Sequence, residues 1–153
     1  VTADKMSESE FKKEAITPTV SIIDANTVDA SLTGKLVKVA LSQTANNVAQ
    51  SFNARGKIIE GVGENTSKII LHVYYDGEDN VSFIVSAKHK KQMTYYDLAS
   101  TKLKKGMNTI EINLGSKNWE KLGNIEYVAM YLGAKKGEPA RTIYIADSVI
   151  YEK

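Results

Sequence analysis

From about residue 19 onward, the chain alternates apolar and polar side chains in short runs. Val, Ile, Thr and Tyr fill these runs, and Gly, Asn, Asp and Lys separate them. Alternation with a period of two is typical of β-strands, because successive side chains point to opposite faces. The pattern predicts nine strands, at residues 19–24, 35–42, 48–53, 68–75, 81–88, 93–98, 107–114, 124–132 and 142–151.

Three of the predicted strands have one apolar face and an opposite face that is largely polar. The apolar sets, which we expect to point into the core, are Val37, Val39 and Leu41, then Val81, Phe83, Val85 and Ala87, and then Ile110, Ile112 and Leu114. Half-buried strands of this kind are what a two-layer β-sandwich requires. The sequence predicts one further short helix within residues 116–122, around Trp119.

Residues 1–18 differ from the rest of the chain. Ser7 and Glu10 have the spacing of a capping box, in which each side chain accepts a hydrogen bond from the other residue's backbone. Phe11 and Ala15 would share one helix face, and Pro18 would end the helix. We predict either a short docked helix or a polar linker here, followed by one domain over residues 19–153.

Two strands carry aromatic residues on the face opposite their apolar set. In 68–75 the inner set is Ile69, Leu71, Val73 and Tyr75, and the outer set is Ile70, His72 and Tyr74. In 124–132 the inner set is Val128, Met130 and Leu132, and the outer set is Ile125, Tyr127, Ala129 and Tyr131. An outer sheet face with Tyr and His side chains either packs beneath a loop or terminus or binds a ligand.

Composition excludes several classes of protein. The length of 153 residues suits one domain. The absence of cysteine excludes disulfides, thiolate zinc sites and cysteine nucleophiles. A net charge of +2 with interspersed signs is not that of a nucleic-acid-binding protein, and no apolar run reaches the roughly 20 residues of a membrane span. The chain opens on Val1 without a visible signal peptide, so we interpret it as a mature or excised piece.

The second half of the sequence resembles a known family. The stretch from Leu103 to Leu114 (LKKGMNTIEINL) resembles the L-x-x-G-x-N turn and strand of galactose-binding-like jelly rolls. Trp119 and Ile125 follow at the usual spacing, and residues 142–149 (TIYIADSV) are similar to the last strand of that fold. The resemblance implies an all-β protein, an antiparallel β-sandwich of the jelly-roll type. This fold includes many carbohydrate-binding modules of secreted bacterial glycoside hydrolases.

The resemblance also implies a structural calcium ion near the end of the last strand. Asp147 has the same parity as Ile143, Ile145, Val149 and Tyr151, so alternation predicts a buried carboxylate. A buried carboxylate needs a metal ion, a hydrogen bond or an ion pair. The candidate calcium ligands are Asp147 and Asp24. The alternative is a bond from Asp147 to backbone amides or to a Lys or Arg. Ala146 departs from the family, which often has a second acid there.

Sugar-binding sites combine aromatic faces, which stack on pyranose rings, with polar groups that bind hydroxyls. The candidate ligand-binding residues are His72, Tyr74, Tyr127 and Tyr131, with the polar partners Lys88, Glu111 and Asn113. Arg55, Tyr95 and Tyr96 are expected to line the rim of a cleft. The alternative for the aromatic residues is burial beneath a loop. We expect Trp119 to cover the core, and residues 88–91 (KHKK) to form a solvated turn.

The functional hypothesis from the sequence is a non-catalytic carbohydrate-binding module. It would hold a larger secreted enzyme or bacterial surface protein close to a polysaccharide, with the parent catalytic domain in the same chain. The alternative is a structural or protein-interaction accessory domain of a multidomain glycoside hydrolase, with no bound sugar. A small polysaccharide lyase would require His72, a tyrosine and Arg55 in one cleft. No nucleophile elbow is present, and the spacing of the two histidines does not suit zinc.

Overall fold

The protein is described by a computed structural model, which covers residues 1–12, 18–41, 50–92, 96–115, 118–133 and 139–153, without the side chains of 96–98. It contains ten strands and a short helix, α1 (Trp119–Leu122). The strands are β1 (Phe11–Lys12), β2 (Thr19–Asp24), β3 (Lys35–Ala40), β4 (Gln50–Ala54), β5 (Thr66–Tyr75), β6 (Val81–His89), β7 (Tyr96–Leu103), β8 (Gly106–Asn113), β9 (Ile125–Leu132) and β10 (Thr142–Glu152). Within the described residues, no helix has the length and apolar character of a membrane span.

The strands form two antiparallel sheets of five. One sheet, here called the front sheet, has the order β1-β4-β9-β6-β7, and the other, the back sheet, has the order β2-β3-β10-β5-β8. The chain crosses repeatedly between the sheets, since β5 and β8 lie in the back sheet while β6 and β7 lie in the front sheet. The apolar inner faces of the two sheets pack together as one core. The predicted all-β sandwich is confirmed.

The predicted inner residues form this core. The fully buried positions include Val37, Val39, Phe83, Val85, Ile69, Leu71, Val73, Val128 and Met130. Burying a Val, Leu, Ile or Phe side chain stabilises a fold by about 1.5–3 kcal/mol, so this shared face is the main source of stability. The strand bounds differ most from the prediction at β7, which continues to Leu103, where Leu103 pairs with Val81 of β6. Residues 93–95 of that predicted strand lie outside the described residues.

The first twelve residues are neither a polar linker nor an α-helix. They form 3-10 turns at Ala3–Lys5 and Glu8–Glu10 and then the strand β1, which pairs with β4. Ala3, Met6 and Phe11 are buried in the core. Neither half of the predicted capping box forms: Ser7 makes no side-chain capping bond, and the Glu10 carboxylate accepts a hydrogen bond from the backbone N–H of Lys57. The predicted Ala15 contact lies outside the described residues.

The turn that carried the family resemblance has a clear structural role. Gly106 has φ +105°, a conformation that strains residues with a side chain. The Asn108 side chain accepts from the backbone N–H of Lys104 at 3.0 Å and donates to the Lys104 carbonyl at 2.9 Å. These bonds close the connection between β7 and β8. Gly106 and Asn108 of the motif therefore specify a turn of the fold.

Candidate functional site

The sandwich separates the predicted ligand-binding residues into two groups on opposite outer faces. His72 and Tyr74 lie on β5, and Glu111 and Asn113 lie on β8, all in the back sheet. Lys88 lies on β6, Tyr127 and Tyr131 lie on β9, and Arg55 follows β4, all in the front sheet. One cleft cannot contain both groups, because the core lies between the sheets.

The front-sheet group forms a row across three neighbouring strands. Lys88 is opposite Tyr127 in the β6–β9 pairing, and Ala54 is opposite Val128, which places Arg55 beside Tyr127. The Arg55 guanidinium lies over the Tyr127 ring, with its central carbon 4.4 Å from the ring centroid. A cation over an aromatic face is held by attraction to the π-electrons. In this row the Tyr127 ring is fixed by Arg55, and Lys88 on the neighbouring strand is buried.

Acidic and polar neighbours complete this outer face. Arg55 also lies 3.5 Å from a Glu126 carboxylate oxygen. Tyr131 is half-buried, and it faces Ser51 on β4 and Ile84 on β6. Asn53 and Ser86 have outward parity on the strands either side of Ala129. We call the outward-facing side of the front sheet the front face. Its partly exposed members are Asn53, Arg55, Tyr127 and Tyr131, and its buried members are Ser86 and Lys88.

Sequence reasoning missed two polar members of the front face. Asn53 follows the buried Phe52, and Ser86 follows the buried Val85, so both alternate with core residues. Strand parity therefore assigns them to the outer face. Their functional interest depends on neighbours that are distant in sequence, because Ala129 brings the two strands together. The signal in the sequence that could have identified Asn53 and Ser86 was a polar side chain at an outward-facing strand position.

The basic segment 88–91 is not a solvated turn throughout. The strand β6 continues to His89, and Lys88 and His89 are both buried. His89 Nδ1 lies 2.8 Å from the Gly123 carbonyl oxygen, and its ring contacts Trp119 edge-on. Only Lys90 and Lys91 are exposed. The prediction failed because charge suggested a loop, whereas the Lys88 stem packs on the sheet as long cationic side chains often do.

On the back sheet, Tyr74 packs beneath a loop. Its exposed fraction is 7%, and its hydroxyl donates to the Asp29 carboxylate at 2.9 Å. Its ring meets Tyr144 edge-on, with 6.2 Å between the centroids. The loop that contains Asp29 adds Ala25, Val28 and Leu32 to this small apolar cluster. The hydrogen bond to Asp29 raises the pKa of Tyr74, so this tyrosine is a structural anchor for the loop.

Asp147 does not point into the core. A β-bulge between Ile145 and Asp147 shifts the parity of β10, so that Ser148 is buried instead. Asp147 therefore faces outward beside His72, with 2.5 Å between Nδ1 and Oδ1. The predicted buried carboxylate is wrong because strict alternation fails at a bulge. The partner of Asp147 is His72, whereas the partners predicted from the sequence were a calcium ion, backbone amides, or a Lys or Arg.

The two predicted calcium ligands do not form a site together. Asp24 bonds the Lys35 ammonium at 2.5 Å on the back sheet, and the strand β3 separates it from β10. The Asp147 carboxylate is paired with the His72 ring. Within the described residues, no group of three or more His, Asp or Glu side chains is placed to hold a metal ion. Calcium prefers six to eight oxygen ligands, so the residues present here do not fit it.

The lyase constellation is also absent from the described residues. His72 lies on the back sheet and Arg55 on the front sheet, so they cannot converge. Glu111 is 3.6 Å from Lys68, and Asn113 is exposed on the edge strand β8. Tyr95 lies outside the described residues, as does the side chain of Tyr96. The structure therefore brings together Arg55, Lys88, Tyr127 and Tyr131 and leaves the other predicted ligand residues on the opposite face.

Solved structures of carbohydrate-binding modules share this arrangement of strands. The family 11 module of the cellulosomal cellulase Lic26A-Cel5E of Clostridium thermocellum matches with a TM-score of 0.59 and 13% identity, over 100% of this chain and 93% of that chain. A family 28 module described as specific for non-crystalline cellulose matches with a TM-score of 0.63 and 8% identity, over 99% of this chain and 93% of that chain. The chain has the jelly-roll β-sandwich fold of carbohydrate-binding modules.

A third match places the same fold within a larger enzyme. The CBM22-1 and GH10 modules of Clostridium thermocellum xylanase 10B, described as a complex with xylohexaose, match with a TM-score of 0.63 and 10% identity. This match covers 99% of the present chain and 28% of that chain. No protein-family model matches the sequence, and no curated protein resembles it. Identities of 8–13% establish the fold alone, so the ligand has to be argued from the site.

Proposed function

We propose that this chain is a non-catalytic carbohydrate-binding module and that a polysaccharide lies across its front face. The observation that carries the proposal is the Arg55–Tyr127 pair, in which a partly exposed tyrosine ring is fixed by a cation. Stacking of a pyranose on an aromatic face needs a ring whose orientation is fixed before binding. Tyr131 provides a second ring on the same strand.

The back sheet supports this choice of face. There Tyr74 and Tyr144 are each only 7% exposed. Binding a sugar on those rings would require the loop of Asp29 to leave the sheet and would break its hydrogen bond to Tyr74. The front-face tyrosines Tyr127 and Tyr131 are both more exposed than this, since each is partly accessible to solvent.

The proposed role is targeting. The module would hold a catalytic domain of the same polypeptide near its substrate in a secreted or cell-surface bacterial protein, and it would raise the local concentration without chemistry of its own. The similarity to modules of multidomain enzymes supports this role. A face of a few stacked and hydrogen-bonded sugar units gives modest affinity, because ordering of side chains and ligand offsets much of the contact energy.

Affinity electrophoresis tests the proposal. The purified chain is run through gels that contain xylan, mixed-linked β-glucan, galactan, soluble cellulose derivatives or a polyuronate. We expect retardation by one class of polysaccharide. Tyr127→Ala should weaken that binding at least about tenfold, since an aromatic anchor typically contributes more than 1.4 kcal/mol. Tyr131→Ala should also weaken it.

The matched control is Tyr151→Ala. Tyr151 is 45% exposed on the back sheet and lies beneath the Lys68 ammonium. It therefore forms a similar cation–tyrosine pair on the face that is not proposed to bind sugar. This variant should bind as tightly as the original chain. Equal weakening by Tyr151→Ala and Tyr127→Ala would contradict the front face as the site. Absence of retardation by every polysaccharide would contradict sugar binding.

A second candidate function follows from the back sheet. Met107, Val149 and Tyr151 are large apolar or aromatic side chains with exposed fractions of 37–45% on its outer face. Such a surface suits packing against a neighbouring domain, which is the accessory-domain alternative. If no polysaccharide binds, this alternative is favoured. It predicts that Val149→Asp weakens association with the catalytic domain of the same protein.

A further inference from the structure

A groove lies at one end of the sandwich, beside α1. Its walls come from the loop before β5, from α1, from the residue before β9 and from the end of β10. The groove has a volume of about 500 Å³, and it is lined by Gly61, Gly63, Glu64, Asn65, Thr66, Trp119, Glu120, Asn124 and Glu152. We call it the end groove. Its volume is that of a small-ligand site.

The chain's single tryptophan forms part of this groove. Trp119 packs partly on the core, and the His89 ring contacts it edge-on, with 5.1 Å between the centroids. His89 is itself buried, so the indole is supported from below by a fixed neighbour. The sequence predicted that Trp119 covers the core. The structure confirms the contact with the core and adds that the same residue lines the groove.

The loop before β5 is fixed by its own hydrogen bonds. The backbone N–H of Gly63 donates to the Thr66 hydroxyl at 3.0 Å, and the N–H of Thr66 donates to the Gly63 carbonyl at 2.9 Å. Asn65 is tied to the chain end, because its carbonyl accepts from the backbone N–H of Lys153 at 2.8 Å. A side chain at Gly61 or Gly63 would enter open space. The wall of the groove formed by this loop is therefore fixed by hydrogen bonds, and its rim is open at Gly61 and Gly63.

The polar lining consists of carboxylates and amides. Glu64, Glu120 and Glu152 supply acceptors, while Asn65 and Asn124 supply both donors and acceptors. No lysine or arginine is among the lining residues, and within the described part of the chain these three glutamates form no ion pair. Pairs of sugar hydroxyls suit such acceptors. A uronate or sulfate group would meet three negative charges at close range.

We propose that the end groove is a second saccharide-binding site and that it takes a sugar unit without acidic groups. Trp119 would stack on the pyranose, and Glu64 and Asn124 would bind its hydroxyls. The choice of a saccharide as ligand class rests on the function proposed above, but the site is separate from the front face. The two sites also differ in charge, because Arg55 is a partly exposed cation of the front face, whereas the end groove is lined by carboxylates.

The single tryptophan makes the two sites distinguishable in one protein. A sugar on Trp119 changes its fluorescence and shields it from acrylamide, whereas the front face contains no tryptophan. The experiment titrates the Tyr127→Ala, Tyr131→Ala double variant with xylohexaose, cellohexaose, β-1,4-galactotriose, chitosan hexamer and tetragalacturonate. Emission and acrylamide quenching are recorded. We expect a saturable response and at least about twofold protection with a neutral or amino-sugar probe and none with tetragalacturonate.

Two further variants assign the response to the groove. Glu64→Gln and Asn124→Ala, both at exposed positions, should reduce the affinity measured at Trp119 at least about fivefold. The first replaces a charged acceptor by a weaker neutral one, and the second removes the hydrogen-bonding side chain. The matched control is Glu60→Gln, an exposed glutamate outside the groove, which should leave the titration unchanged. Thermal melts of each variant establish that it is folded.

The outcomes separate this proposal from the proposed function. Retardation by a polysaccharide with no response of Trp119 to any probe would overturn the end groove and leave the front face standing. A response that survives in the double variant, together with Tyr127→Ala binding normally in gels, would support the groove and overturn the front face. Equal responses to tetragalacturonate and the neutral probes would overturn the proposed selectivity. Absence of both signals would overturn both proposals.

Discussion

Tyr75 shows how a single buried hydroxyl attaches a loop to the sandwich. The hydroxyl donates to Asp79, and Arg141 donates to the other oxygen of the same carboxylate, at 2.8 Å from Nη2 and 3.2 Å from Nε. Burial, followed by the bond to Asp79, raises the pKa of Tyr75 to about 12. The hydrogen bonds from Tyr75 and Arg141 lower the pKa of Asp79. The two shifts affect stability at opposite ends of the pH range.

The raised pKa of Tyr75 predicts a loss of stability in alkali. In the unfolded chain a tyrosine ionises near pH 10, so the contribution of Tyr75 is complete below about pH 10 and is lost as the pH rises towards 12. Urea unfolding at pH 8, 10 and 11 measures this. We expect the free energy of unfolding to fall more steeply in the original chain than in Tyr75→Phe, by on the order of 1 kcal/mol at pH 11. Parallel pH profiles for the two proteins would contradict the shift.

Gly106 is a second residue whose role follows from local geometry. Its φ of +105° disfavours any side chain, although open space surrounds it. We expect Gly106→Ala to lower the free energy of unfolding by about 1–2 kcal/mol, through backbone strain alone. The matched control is Gly63→Ala, which meets equally open space without a positive φ. Its cost should stay below about 0.5 kcal/mol in the same urea titration. Equal costs would show that strain is not the cause.

At the scale of the element, the periodicity of the sequence predicted the strands of the sandwich better than it predicted the structure near the two chain ends. Strands corresponding to all nine predicted ones are present within the described residues, and most of them have an apolar face that the core buries. β1 was missed, since its two residues carry too little pattern. The parity of β10 was wrong beyond Ile145, because a bulge leaves no trace in alternation. The strand residues proposed to bind a ligand were assigned to outer faces correctly, unlike Asp147, but the sheet that each joins depends on distant pairing.

The N-terminal segment is predicted to contribute substantially to stability. Met6 is 4% exposed and packs in the core, whereas Ser7 is exposed and makes no capping bond. Met6→Ala should therefore lower the free energy of unfolding by about 2–4 kcal/mol, as other large-to-small core changes do. Ser7→Ala should cost less than about 0.5 kcal/mol, although a true capping serine would contribute about 1 kcal/mol.

Chemical denaturation of the two variants side by side decides between the structures considered for this segment. A costly Ser7→Ala would support the capped helix that the sequence predicted. A neutral Met6→Ala would support a linker that makes no contact with the core. We expect Met6→Ala to lower the free energy of unfolding much more than Ser7→Ala does. This result would show that the segment belongs to the core of the sandwich, as the burial of Ala3 and Met6 indicates.

At the scale of the whole molecule, the two outer faces of the sandwich differ in how far other segments cover them. The back sheet is partly covered by the loop of Asp29 and by the N-terminal residues, since Val1 exchanges backbone bonds with Ser148. The front sheet keeps its tyrosines accessible beside Arg55. Alternation along one strand cannot reveal this difference, because the covering segments come from other parts of the chain. Function therefore depends on topology more than on any local motif.

The same topology argues against a calcium ion held by the residues that the sequence suggested. Asp24 and Asp147 each have a cationic or histidine partner at 2.5 Å, and β3 lies between their strands. An ion that binds only the folded state at 100 times its dissociation constant would stabilise it by about 2.7 kcal/mol, or several degrees of Tm. We expect millimolar calcium or chelator to shift the Tm by less than about 1 °C, with magnesium as the control. A calcium-specific rise of several degrees that Asp147→Asn abolishes would show that the His72 pair opens to admit the ion.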